Sequence, residues 1–455
     1  MEPLSDQIAA FTSKLRVEEM PADVVELARL CLFNGYGIAL CGHETPYAPV
    51  ARAAALAMDG EVASGATLLG DGRKTTVAGA CLANSALFHG RAQEDTCGAA
   101  HFGTILIPLL TALLEVRKLR IEDFLPALVA GYEAGGLLEQ AFARVSTPAG
   151  FRSTAVYGTI AAAAASARLL CLPADQTAAA LRNAVSFTGG VLQSFADGTD
   201  EWRYQPGIVA RNGWAATELA RAGSVSAPGA FEGKSGLGRA FAKMPTEVSA
   251  LSEKLGVHWS IKRVTFKPFP VCAFNQTPVT AVLELRKKLA DAPLAAVRVR
   301  MNPFETGYAG MDATGPFHSI SGTLMSIPFC VATSFVHGAP SLKRMTEYSD
   351  PRVNALEKKI TLVTDPHVPT LTAVIEADLA SGETVTHRQE MSERDYQFDR
   401  RELQALLARI AAECGVSSRS LSSLERFVYG LPDGSISDVI NLFASDQQAS
   451  LRSSS

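Results

Sequence analysis

His101 stands immediately before an apolar run that begins at Phe102, and Glu94, Asp95 and Thr96 precede it at short range. An imidazole titrates near neutral pH, so a histidine in this position either caps a helix start or moves protons there. Asp95 and Thr96 carry a matching pair of readings, a helix cap or a contact to a ligand. Glu94 reads as a solvated loop carboxylate. Arg152 offers a planar fork that meets a carboxylate with two bonds at once, or else a surface ion pair. Arg203, Arg211 and Lys267 are further cations that either serve an anion or pair locally, and Tyr157 is either core or an acid. Imidazole, carboxylate and guanidinium are the groups of acid–base chemistry on charged molecules.

Signatures of other chemistry are missing. Gly233-Lys234-Ser235 resembles the end of a phosphate loop, but Pro228 occupies the place of its first glycine. There is no H-E-x-x-H, and the eight histidines are dispersed without metal-ligand spacing. No G-x-S-x-G elbow and no G-x-G-x-x-G after a strand occurs. If the protein is an enzyme, a mechanism without metal or cofactor is what remains. The eight cysteines are scattered singly, so most are expected reduced and buried, Cys97 included as an inert small side chain.

The elements that must position these residues are mostly helical. Apolar residues recur at helical spacing over 21–40, 104–118, 121–142, 157–170, 174–185 and 207–222, many of them Ala- and Gly-rich, which favours a compact bundle. The texture changes after Val264. Leu294 to Met301 alternates as a half-buried strand does, 359–363 and 370–377 behave similarly, and Ser381-Gly382 turns into a partner strand at 384–389. Between them 320–336 and 351–358 read as helices, and helical spacing returns at 401–414 and 436–443.

At 455 residues, two domains are expected. The fold class predicted is mainly α: an all-helical domain from 1–264 plus 400–455, with an inserted, smaller α+β lid domain at 265–399. A 47% hydrophobic, 19% charged chain with net charge −4 argues against nucleic acid as partner. Its apolar runs fall short of the ~20 residues of a membrane span. The acidic, polar start, Met1 to Ala10, lacks the pattern of a signal peptide, so a cytoplasmic location is expected.

Five stretches taken together carry a family resemblance. Phe88 to Thr96, followed by His101-Phe102-Gly103-Thr104 and Pro108, resembles the "HAxDFDDT…HPSxxxxP" segment of the MmgE/PrpD family. Gly150-Phe151-Arg152-Ser153-Thr154 with Gly158 is similar to its "GFHxTxxxG". Asp197-Gly198-Thr199 through Gly213 is similar to its "DGxxxKxxHxGxAAxxG", and Phe231-Glu232-Gly233 through Phe241 to its "LEGxxGxxxxF". Lys267-Pro268-Phe269-Pro270 and Ser326-Ile327-Pro328-Phe329 are similar to "KxYP" and "SIPYxVA". The family includes 2-methylcitrate dehydratase, cis-aconitate decarboxylase and an iminodisuccinate epimerase.

The resemblance implies a cofactor-independent lyase or isomerase, usually a homodimer, abstracting a proton beside a carboxylate of a small di- or tricarboxylate. On this reading His101 with Asp95 moves the proton, Thr96 and Tyr157 are further catalytic candidates, and Arg152, Arg203, Lys267 and Arg211 bind carboxylates. Four family groups are replaced: an aspartate by Ala92, a histidine by Arg152, a lysine near Trp202 and a tyrosine by Phe329. The second reading is therefore a catalytically degenerate member that binds a carboxylate or acts as a scaffold.

Overall fold

The computed structural model describes residues 2–289 and 292–453, the last nine of them by backbone alone. Residues 454 and 455, the end of the expected 400–455 segment, lie outside the described residues. The chain divides into two units, Met1–Val191, Arg203–Phe266 and Phe398–Ser455 forming the first, Leu192–Trp202 and Lys267–Gln397 the second.

The chain is mainly helical with a small sheet. Its helices begin with α1 (Leu4–Thr12), α2 (Ala22–Leu40), α3 (Tyr47–Asp59), α4 (Val77–Phe88) and α5 (Gly103–Arg117). There follow α6 (Phe124–Ser146), α7 (Ser153–Leu169), α8 (Ala174–Ser186), α9 (Gln193–Asp197), α10 (Glu201–Arg221), α11 (Leu237–Ala242) and α12 (Val248–Ser252). The second unit holds α13 (Gln276–Leu289), α14 (Pro303–Thr306), α15 (Ile320–Met325), α16 (Ile327–His337) and α17 (Pro351–Glu357). The chain closes with α18 (Arg400–Cys414), α19 (Ser418–Gly430) and α20 (Ile436–Ser453). Helices α1, α3, α4, α9, α11, α12, α13, α14 and α19 are additions to the sequence reading.

Small residues set the packing of the first unit. Every residue of α7 is buried, as its run of five alanines allows, so the helix sits inside the bundle. A Cβ on Gly213 of α10 would lie 2.4 Å from the Cβ of Ala162 and 2.6 Å from the Thr159 carbonyl oxygen, so only glycine lets α10 cross α7 this closely. The C-terminal helices join the same core. Leu407 of α18 fills the space over Gly37 of α2, and Tyr36 meets Phe427 edge-on at 6.2 Å. Two short antiparallel pairs complete the unit, β1 (Ala66–Thr67) with β2 (Lys74–Thr75), and β3 (Thr96–Cys97) with β4 (Val264–Thr265).

In the second unit β5 (Leu294–Met301), β6 (Ile360–Thr364), β7 (Thr372–Leu379) and β8 (Thr384–Glu390) form a sheet of order β6-β5-β7-β8, parallel only between β5 and β6. Alternation decides the faces. Val297, Val299 and Met301 are buried, while Arg298 on the other face pairs with Glu376 and Asp378 of β7. The helix expected over 320–336 is two helices instead. Pro328 lacks an N–H and crowds the preceding turn, so α16 starts afresh around it, with Ser326 Oγ accepting from the Phe329 N–H.

Among the described residues no helix is long and apolar enough to cross a membrane. All eight cysteines are free of disulfides. Six of them are buried, and burial pushes the Cys97 thiol up.

Candidate active site

The site grows from the end of α4. His89 is the C-terminal cap of that helix, and the segment after it, 90–102, returns to the start of α5. Although rich in polar side chains, this segment is inside: Arg91, Gln93, Glu94 and Asp95 are each at most 1% exposed. Glu94 is therefore not the solvated carboxylate its sequence context implies. Its Oε1 lies 3.3 Å from Nδ1 of His89 and 3.3 Å from Nδ1 of His101, whose rings are 5.5 Å apart.

Hydrogen bonds fix the protons on both rings. Arg152 Nη2 lies 2.8 Å from His89 Nε2. A guanidinium only donates, so Nε2 accepts and the proton of neutral His89 is on Nδ1, facing Glu94. Burial, reinforced by Arg152 and Arg203 and opposed by Glu94, depresses the His89 pKa to about 3, consistent with a neutral ring. With the ring neutral, the 3.3 Å His89–Glu94 contact sets an N–H against a carboxylate and is not an ion pair. His101 Nδ1 is also 3.1 Å from the Asp95 carbonyl oxygen, which can only accept, so this ring too carries its proton on Nδ1.

Three helices meet here, α5 and α7 at their starts and α10 through Arg203 and Gln205. The His101 N–H donates to Thr154 Oγ1 in the first turn of α7, joining it to the start of α5. Arg152, the N-cap of α7, donates to Gln205 Oε1 in the first turns of α10. Arg203, on α10, donates to the carbonyls of His89 and Gly90 at 2.6 Å each and stacks over Tyr47 at 4.4 Å. Helix N-termini carry roughly half a positive charge each, so the cluster is an electropositive setting with two buried guanidiniums.

The other nominated residues do different work. The Asp95 carboxylate accepts from Tyr132 through Oδ2 at 2.6 Å, inside the core, and its main-chain carbonyl meets the His101 imidazole. Thr96 shares a 2.6 Å hydroxyl bond with Thr265 across β3 and β4. Tyr157 is buried against Ser146 at 2.7 Å, and burial pushes its hydroxyl up, so it is a core residue. Arg211 pairs with Asp59 at the end of α3. Lys267 belongs to the second unit, where Gln276 spends its amide on the main chain of Phe269, Val271 and Cys272.

His89 was not nominated from the sequence. Its chemistry comes from Arg152, 63 positions away, and the only sequence signal was its place in the Phe88–Thr96 segment. The fold also gathers one group that sequence spacing does not show, His337, Glu347 and Asp350 in the second unit. His337 bonds Asp350, Asp350 caps α17, and Glu347 pairs with Arg344, so ion pairing and capping account for it. A cleft of about 650 Å³ in the first unit, between the β1–β2 turn, α5 and the start of α20, is lined by none of these site residues.

Residues 6–248 match the MmgE/PrpD N-terminal domain and residues 269–413 the MmgE/PrpD C-terminal domain. A cis-aconitate decarboxylase of Aspergillus terreus is 26% identical over 387 residues, covering 79% of this chain and 78% of its own. The cis-aconitate decarboxylase-like protein oryM of Aspergillus oryzae is 30% identical over 304 residues, 63% of this chain and 62% of its own. With both domains matched across most of its length, the chain belongs to the MmgE/PrpD family.

Proposed function

We propose that this chain is a cofactor-independent lyase that moves a proton at a carbon beside a carboxylate of a small di- or tricarboxylate. The observation that carries the reading is His101, partly exposed with its Nδ1 committed to the Asp95 carbonyl, next to His89, which two buried guanidiniums hold through its ring and its carbonyl. A developing enolate-like dianion needs fixed positive potential, and these groups supply it without rearrangement. His101 Nε2 is the proton-transfer atom. Arg152 and Arg203 act through the field they set up and through the loop they hold.

Decarboxylation is the first choice among lyase reactions, because the relatives named above are cis-aconitate decarboxylase and a protein like it. The bond to the departing carboxylate breaks, its electron pair enters the remaining conjugated system, and the Nε2 proton of the imidazolium completes the new C–H bond. Dehydration and epimerisation share the proton-transfer step and remain outcomes of the test. That test is a proton NMR screen in deuterated water against cis-aconitate, citrate-like and succinate-like acids. Deuterium entering one acid, or its loss of CO₂, identifies substrate and position.

The second reading, a degenerate carboxylate-binding or scaffold protein, draws on the internal bonding of Asp95, Thr96, Tyr157 and Arg211. No deuterium uptake from any acid would favour it. We further propose a cytoplasmic homodimer. Val50 and Met58 of α3, Ile208 and Leu219 of α10, and Phe187 with Val191 are exposed apolar side chains. The links Arg211–Asp59, Asn212–Phe187 and Gln205–Val191 make them neighbours, and such a patch suits a second copy.

A further inference from the structure

The site contains two imidazoles, and they differ in access. His101 has 18% of its side chain exposed, whereas His89 has none, so only His101 can meet a ligand directly. A buried histidine whose two nitrogens face a guanidinium and a carboxylate calls for an account beyond packing. We propose that His89 is a positioning residue: pinned by Arg152 as the Nδ1–H tautomer, it turns its N–H toward Glu94 and keeps that carboxylate against Nδ1 of His101, so that His101 exchanges protons only at Nε2.

Donors and acceptors decide which nitrogen of His89 carries the proton. Arg152 supplies only N–H groups, so His89 Nε2 must accept. The remaining proton then faces Glu94 Oε1, the same oxygen that faces His101. That oxygen is an acceptor for both rings and, with the Asp95 carbonyl, gives the His101 Nδ1 proton two places to go on one side of the ring. The charged groups facing His89 are Arg152, Arg203 and Glu94. Catalytic side chains have to be held to within about half an ångström, and such second partners do the holding.

The proposal rests on the reading of His101 as the proton-transfer residue, and its test separates the two. Long-range proton–nitrogen NMR of histidine-labelled wild-type protein, at a pH where both rings are neutral, should show His89 and His101 as single Nδ1–H tautomers. His89→Asn keeps an N–H near the Nδ1 position, while His89→Gln places its amide near Nε2, where its oxygen can still accept from Arg152. His89→Asn should retain kcat within about threefold, whereas His89→Gln should lose about tenfold or more in kcat with little change in KM. An Nε2–H tautomer for His89 in the wild type would overturn the proposal, as would a Gln variant as active as the Asn variant. If no acid is turned over at all, the proposed function fails while the tautomer measurements still decide the positioning role.

Discussion

Acidification should expose the cost of keeping His89 neutral. Its folded pKa is about 3 against an ordinary 6.5, a depressed value for a base. Folding therefore favours the neutral ring, so its contribution is complete above pH 6.5 and is lost as pH falls from there towards 3. Between pH 7 and pH 5 the linkage relation makes that loss about 2 kcal/mol. The wild-type profile alone does not reveal it, because two buried carboxylates work in the opposite sense. Burial raises Glu133, which accepts the N–H groups of Ser260 and Ile261, to about 7, and likewise Glu305 to about 7. Their contributions are complete below the ordinary carboxylate value and lost as pH rises through 7, so each regains about 2 kcal/mol over the same interval. The decisive quantity is the difference between wild type and His89→Asn in urea unfolding at pH 7 and pH 5. The wild type should lose about 2 kcal/mol more than the variant. Parallel pH profiles for the two proteins would refute the burial argument for His89.

Other substitutions test separate steps of the argument. Ala92 adopts the left-handed region at φ 56°, so Ala92→Gly should raise stability by roughly 0.5–1 kcal/mol, the strain relieved less the entropy added; a lower melting temperature contradicts this. Gly213→Ala should destabilise by about 2 kcal/mol or more, since the new methyl meets backbone atoms of α7 that cannot move aside; unchanged unfolding would show that the helices can separate freely. His101→Ala should lower kcat by roughly 10²–10⁴ in a folded protein, and a fall of less than tenfold removes it from proton transfer. Ile208→Asp with Leu219→Asp should convert a dimer to a monomer in light scattering, and a dimer that survives both lies on another face.

What the sequence made legible follows the range of the interactions concerned. Strand β5 was read to its end residues because Val-Arg-Val-Arg-Met alternates locally, and the turn into β8 because Ser381-Gly382 is a local signal. The division of 320–336 was missed because a proline in a first helical turn and a proline that ends a helix look alike in sequence. Burial is not local at all. Gln93-Glu94-Asp95 has the composition of a solvated loop, yet α4 and α5 on either side carry it into the interior. Its flanking by two apolar helices was the one available hint. The cations were found as cations, but whether a guanidinium meets a ligand, a carbonyl or an imidazole depends on elements far along the chain, 63 residues away for Arg152–His89 and 113 for Arg203–Gly90.

The departures from the family motif now bear on one another. The resemblance puts an aspartate at position 92, where this chain has alanine in a left-handed conformation that aspartate tolerates better. It also puts an aspartate at 94, where this chain has glutamate, one methylene longer, with its Oε1 facing both imidazoles. A carboxylate lost at one position and a longer reach two positions on leave the imidazoles with an acidic partner. The histidine replaced by Arg152 fits the same pattern. An arginine there cannot accept a proton, but it does fix the tautomer of His89, which a second histidine able to switch tautomers would not do reliably. The substitutions thus exchange groups that could move protons for groups that hold one imidazole in place, and concentrate proton transfer on His101.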